Sequence, residues 1–316
     1  MGPKVIVDRF ATKAERAVAR QAIGRLWDQK ISAKALARYQ LAASRFHDWV
    51  MALNLGLANT MEEMERQLCQ YLEELWEEGE SKGLAGDTLS GVSHFLQTRR
   101  QFPGAWQLLS VWQKLEMPAR AAPLSATMVA AMADLLRCRG HIRLCAGLLM
   151  GFHCALRTGE LLLACVEHFS FLPDGTAILA LPWTKGGQRR GAQEIITLDD
   201  PICVFWVRQA CMLAGKGSLL NLSGPAFRTI VASCLQELHL AGLNFKPYSL
   251  RRGGASFDFT FHKDLKRTMH RGRWSCYRTA RIYIVEGAAL LAQLRVPAST
   301  NQQLLARQAQ LLRASK

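Results

Sequence analysis

One stretch of this 316-residue chain breaks the rule that governs the rest. In "FSFLPDGTAILALPWTKGGQRRGAQEIITLDD", residues 169–200, apolar and polar residues alternate. Pro173-Asp174-Gly175 and Gly186-Gly187 interrupt the alternation. A period of two broken by such turn residues specifies two hairpins or a three-stranded antiparallel sheet. On either side the apolar residues recur with helical spacing. The expected fold is therefore mainly α, with a second domain of α+β type carrying one small antiparallel sheet.

The helical pattern starts early. Residues 12–28 and 33–51 read as helices, and "RYQLAASRFHDWV" places Tyr39, Leu41, Ala42, Phe46 and Trp49 near one face. Thr60 followed by Glu63 has the spacing of a capping box and opens the acidic helix "MEEMERQLCQYLEELWEEGE". Further helical signals cover roughly 88–100 and 104–115. Residues 1–116 are thus expected to form a small helical domain, and "LEMPARAAPLS", with Pro118 and Pro123, supplies a linker at 117–125. The second domain, 126–316, starts with helices near 125–137, 141–154 and 158–166. After the alternating stretch, helices resume from about 201. The last, at about 299–314, is amphipathic through Leu304, Leu305, Leu311 and Leu312.

Charge narrows the partner. The net charge is +15. Residues 1–124 carry 16 Lys+Arg against 14 Asp+Glu, whereas residues 125–316 carry 24 against 11. The excess on one half suits a polyanion. The nine cysteines are scattered and never spaced as CxxC, which points away from a disulfide framework or zinc site and towards a reducing compartment. The segment "LCAGLLMGFHCAL" is too short to span a bilayer. No P-loop, GxGxxG or HExxH motif is present.

Four segments of the second half carry chemistry: "ALRTGEL" (155–161), "WTKGGQRRG" (183–191), "YSLRRGGAS" (248–256) and "RGRWSCYRTARIYI" (271–284). Singly, each has an ordinary structural use: a helix cap, a hairpin tip, a basic patch, an aromatic in a core. Their order carries the weight. Together they resemble the tyrosine recombinase (phage integrase) family. The "LRRGGA" wording and the tryptophan are most similar to recombinases of eukaryotic mobile elements of the Crypton or DIRS type. The resemblance covers the whole chain in layout and is specific in the catalytic half.

The resemblance implies a helical core-binding domain followed by a catalytic domain, and a site-specific DNA recombinase that works through a 3′-phosphotyrosine. It implies Arg157 and Arg251 as a clamp on the scissile phosphate, completed by the indole N–H of Trp274. Arginine suits that task because its planar fork is always charged. Tyr283, nine residues after Trp274, is the expected nucleophile, on a helix starting near Ser275. Lys185 is the expected general acid for the leaving 5′ oxygen, and Glu160 is expected to brace an arginine. Tyr248 stands where the family usually has His or Lys. A phenol is a poor base at neutral pH, but it donates a hydrogen bond to the phosphate or to Tyr283.

Arg189, Arg190, Arg273, Lys34 and Arg38 are expected on DNA, and Arg252 on a neighbouring phosphate or a carboxylate. Gly253-Gly254 are expected to let the backbone approach DNA closely. No metal, ATP or other cofactor is expected. The expected partners are duplex DNA with inverted half-sites and further copies of the chain, two on one site and four in synapsis. The C-terminal helix is expected to pack on a neighbouring protomer. The protein is expected inside the cell with its DNA, in a nucleus or a bacterial cytoplasm. Two other readings share the fold: a DNA-binding protein without catalysis, and a relaxing enzyme of type IB topoisomerase kind.

Overall fold

The structure is a computed structural model describing residues 12–98, 101–116, 120–181, 184 and 194–315. The chain divides into two compact units, Met1–Ala119 and Arg120–Lys316.

The first unit is helical. Its elements are α1 (Lys13–Ile23), α2 (Ala33–Ala52), α3 (Met61–Glu77), α4 (Lys82–Phe95) and α5 (Pro103–Leu115). Hydroxyl caps start the first four: Thr12, Ser32, Thr60 and Ser81 each accept a backbone N–H of the first turn. The box expected at Thr60 is half formed. Thr60 Oγ1 accepts from Glu63 N–H at 3.1 Å, but the Glu63 carboxylate takes the amide of Asn59 instead. α4 begins several residues before the expected start, because Ser81 caps it there. Phe46, Val50, Leu68, Leu72, Leu89, Leu109 and Trp112 form the core. Leu41, expected on the buried face, is 66% exposed. Trp49 is partly buried, and its indole donates to Glu74 at 2.6 Å.

The second unit starts with α6 (Ala126–Cys138), α7 (Ile142–His153) and the short α8 (Thr158–Leu162). The alternating stretch then forms β1 (Phe169–Phe171), β2 (Ala177–Leu181) and β3 (Glu194–Leu198), an antiparallel sheet in the order β1-β2-β3. Leu179 pairs with Phe169 on one side and Ile196 on the other. Ala177, Leu179 and Leu181 face the core, as a period of two requires. The segment joining β2 to β3 lies outside the described residues apart from Thr184, which is buried.

Helices α9 (Pro201–Ala214), α10 (Gly224–Glu237), α11 (Tyr248–His262), α12 (Leu265–Gly272), α13 (Tyr277–Ala280), α14 (Glu286–Leu294) and α15 (Ala298–Ala314) complete the unit. The C-terminal helix, expected on a neighbouring protomer, has contacts within its own chain. α15 packs on α6 of its own chain, burying Leu304 and Leu311 to 1% exposure. Arg307 reaches the fully buried Asp134 at 3.3 Å, which Arg137 also holds. Within this chain the helix thus has a seat in cis. Among the described residues no helix is long and apolar enough to cross a membrane.

Candidate active site

The centre of the second unit is α11, which carries "YSLRRGGAS". Its paired glycines correct one expectation. A Cβ on Gly253 would sit 2.0 Å from the Leu124 carbonyl oxygen, and one on Gly254 would sit 1.9 Å from that of Phe152. The glycines therefore let α11 lie directly on the α7 backbone and on the segment before α6, not on DNA. A backbone bond from Leu124 N–H to Ser249 O at 3.2 Å fixes the same approach.

That contact sets Arg251 at zero exposure. Its guanidinium donates to the carbonyls of Ala155 and Gly272, the latter at 2.7 Å, while Nε has no hydrogen-bond partner. The cation lies 5.0 Å from the Trp274 ring centre and 5.1 Å from that of Tyr283. Trp274 is 6% exposed, and its indole N–H also has no partner. Two buried donors without acceptors, on side chains in contact with each other, are a costly arrangement unless an anion completes it. Burial, then the charges of Arg273 and Arg157, push the Arg251 pKa down to about 10. A bound anion would reverse that shift.

Arg157 caps the first turn of α8, and Glu160 accepts from its backbone N–H at 2.9 Å and from its guanidinium. The Arg157 side chain stays 31% exposed. Glu160 is 5% exposed. Burial would raise its pKa, but Arg273 and then Arg157 outweigh burial and hold it below the ordinary value.

Tyr283 corrects the expected helix. α13 ends at Ala280, and Tyr283 lies in the turn that follows. Ser256 on α11 holds that turn: its hydroxyl donates to Tyr283 O at 3.2 Å and accepts from Val285 N–H at 3.0 Å. The Tyr283 ring stacks on Trp274 and also meets Tyr248, with centroids 4.6 and 5.7 Å away. Tyr277 is 52% exposed, beside Arg281. Tyr248 is 39% exposed, and partial desolvation, a hydrogen bond to Tyr283 and the charge of Tyr283 raise its pKa.

Arg157, Glu160, Tyr248, Arg251, Trp274 and Tyr283 are therefore brought together. Lys185, Arg189 and Arg190 fall outside the described residues. Arg252 is 5% exposed, with burial first and Arg120 next lowering its pKa, and its Nε lacks a partner. In the first unit Lys34 is exposed at the start of α2, and Arg38 pairs with Asp87 at 3.0 Å. Arg273, expected on DNA, is buried between Glu160 and Glu194 instead. Sequence reasoning passed over Ser256 and Glu194. Ser256 stood inside a quoted motif, whereas Glu194 gave no signal beyond its place at the head of a strand. Among the described residues no group of three or more His, Cys, Asp or Glu side chains converges as a metal site does.

No family model matches the sequence, and no curated protein matches it. Solved structures do match the fold. XerH site-specific recombinase bound to difH substrate, in a pre-cleavage complex, superposes with a TM-score of 0.56 at 13% identity, over 82% of this chain and 79% of that one. A lambda integrase dimer bound to a COC′ core site gives 0.54 at 15% identity, over 83% and 74%. The chain thus has the fold of the tyrosine recombinases and integrases.

Proposed function

We propose that this protein is a site-specific DNA recombinase that cuts and rejoins duplex DNA through a phosphotyrosine. One observation carries the reading: the buried Arg251 guanidinium and Trp274 indole pack with the partly buried Tyr283 ring, and the Arg251 Nε and Trp274 Nε1 donors lack protein acceptors. The fold neighbours are recombinases and integrases in complex with DNA, which supports it.

In this mechanism the scissile phosphate takes the place of the missing acceptors. Arg157 and Arg251 offset the charge that grows on its non-bridging oxygens, and Trp274 donates to the same group. The Tyr283 oxygen attacks phosphorus, a P–O bond to tyrosine forms, and the bond to the 5′ oxygen breaks. The departing oxygen takes a proton, for which Lys185 is the candidate donor. The tyrosine proton passes to solvent, and Tyr248, the nearest phenol, can relay it by releasing its own proton as it accepts this one. Because Arg251 is fully buried below Tyr283, phosphate binding displaces the ring from its present place. Charge neutralisation by the basic half of the chain makes binding salt-dependent.

The test uses a duplex nicked close to the cut site, so that the short 5′ fragment diffuses away and religation fails. The wild-type protein should then accumulate as a covalent DNA adduct. Tight binding without any adduct would favour the reading as a DNA-binding protein of the same fold, for which Tyr248 in place of histidine is the supporting observation.

A further inference from the structure

Ser256 lies on α11, the helix that bears Arg251, and is 3% exposed. Its hydroxyl makes two hydrogen bonds to the segment between α13 and α14. It donates to Tyr283 O at 3.2 Å and accepts from Val285 N–H at 3.0 Å. The N–H groups of Tyr283 and Ile284 both turn back to Ala280 O, at 2.9 and 3.1 Å. Those bonds make the segment follow α13. The Ser256 bonds refer it to the helix that carries the phosphate clamp.

The same face of α11 continues the hold. Thr260, at i+4 from Ser256, donates to Glu286 Oε1 at 3.0 Å, and Lys263 lies 3.5 Å from that oxygen. The outer pair is the weaker part, because Lys263 and Glu286 are 69% and 42% exposed and solvent screens their charges. Ser256 is the buried part, and a buried N–H that loses its acceptor is costly.

The position of the phenol explains why this matters. Its ring stacks on Trp274 over Arg251, where the phosphate has to arrive. With Tyr283 O and Val285 N–H held on α11, the ring leaves by rotation about its own side-chain bonds while the backbone stays in place. An attack in line with the leaving oxygen tolerates little error, and a misplacement of about 1 Å costs about a hundredfold in rate.

Building on the recombinase reading, we infer that Ser256 is a positioning residue for the nucleophile. It fixes the backbone of Tyr283 relative to Arg251, so that the phenol swings from Trp274 to the phosphate on a stationary support. Its hydroxyl touches neither the phosphate nor the reacting oxygen. Thr260 and Glu286 steady the same segment from the next turn of α11.

The experiment compares S256A, S256T and L304A with the wild type. Three readouts are taken on each: the rate of adduct formation on the nicked duplex at saturating DNA, affinity for that duplex by gel shift, and the thermal midpoint. S256A should slow adduct formation by at least about tenfold, within the cost of a small misplacement. Its affinity should stay at the wild-type level, because the clamp arginines are untouched. S256T keeps the hydroxyl and should keep most of the rate. L304A, which loosens α15 from α6, is the reference for lost stability alone and should lower the midpoint without slowing the reaction. S256A at the wild-type rate overturns the inference. So does S256T as slow as S256A, an L304A protein slowed as much as S256A, or an affinity loss in S256A that equals its loss of rate.

If S256A shows no cooperative melt, S256C carries the comparison. A thiol takes the same place but is a weak hydrogen-bond donor and acceptor. The inference expects S256C to be slower than the wild type at unchanged affinity, and a wild-type rate contradicts it. A wild-type protein that forms no adduct contradicts the recombinase reading itself, which separates the two failures.

Discussion

Tyr283 lies face to face with Trp274, ring planes 28° apart and centroids 4.6 Å apart. The Arg251 guanidinium is about equally far from both rings. Apart from its hydrogen bond to Tyr248, the nucleophile candidate is thus held by contacts that a phenylalanine would also make. Only its oxygen is free of a packing role, and this separation lets chemistry be tested apart from folding.

The paired glycines give a prediction about packing. Methyl groups at positions 253 and 254 run into carbonyl oxygens that belong to other segments. Neither neighbour can move without shifting a backbone. G253A and G254A should each lower stability by about 1–3 kcal/mol or more, the range of forced overpacking. Calorimetry or chemical denaturation reads this directly. Wild-type stability combined with weakened DNA binding would restore the glycines to the role of letting DNA approach.

Glu160 sets a dependence on acid. Its folded pKa is held below the ordinary 4.5, by Arg273 and Arg157 against the opposing effect of burial. A carboxylate depressed in this way adds stability that is complete above its unfolded value and is lost as pH falls through the folded value. E160Q lacks that contribution at every pH. Its melting midpoint should lie below the wild-type midpoint at neutral pH and converge on it as the pH drops below 4.5. A gap that stays constant or widens in acid would show that the carboxylate is not ionised against its arginines.

Tyr248 makes a prediction about rate. Its pKa is raised above the ordinary 10 by desolvation, by its hydrogen bond to Tyr283 and by the charge of Tyr283. It therefore stays protonated throughout the neutral range. Y248H puts an imidazole there, with an ordinary pKa of about 6.5. Single-turnover adduct formation followed against pH should gain a step in that region in Y248H that the wild type lacks. Superimposable profiles would remove Tyr248 from the proton-handling chain.

The C-terminal helix yields a test of cis packing. Leu304 and Leu311 are buried against α6. L304A should cost about 2–5 kcal/mol, as other truncations of buried leucine do. If the helix belongs to its own chain, the melting midpoints of wild type and variant are independent of protein concentration. A midpoint that rises with concentration would place the helix on a second copy.

Much of this architecture was legible in the sequence, for local reasons. The period of two in 169–200 marked the sheet because one face of it is buried. Hydroxyl residues before apolar runs marked helix starts. Through the family resemblance, the order of Arg157, Arg251, Trp274 and Tyr283 pointed to the candidate site, where the structure brings these four side chains together.

What stayed hidden depends on partners distant in sequence. Arg273 and Glu160 are 113 positions apart, so nothing local separates a buried bridge from a DNA contact. The break after Ala280 has no glycine or proline to announce it. The turn is held by Ser256, which the helical pattern around Tyr283 does not reveal. The glycine pair signalled a close approach without naming the backbone approached. The leucines of α15 showed that a face must be covered, but not by which chain.

The most direct test of the central claim is to locate the adduct. The wild-type protein is trapped on the nicked duplex, the DNA is trimmed, and the modified peptide is identified by mass spectrometry. The account predicts one phosphonucleotide, on Tyr283. It also predicts that Y283F melts like the wild type and binds the duplex with similar affinity while forming no adduct. A modified Tyr248 or Tyr277, or an adduct formed by Y283F, would contradict it.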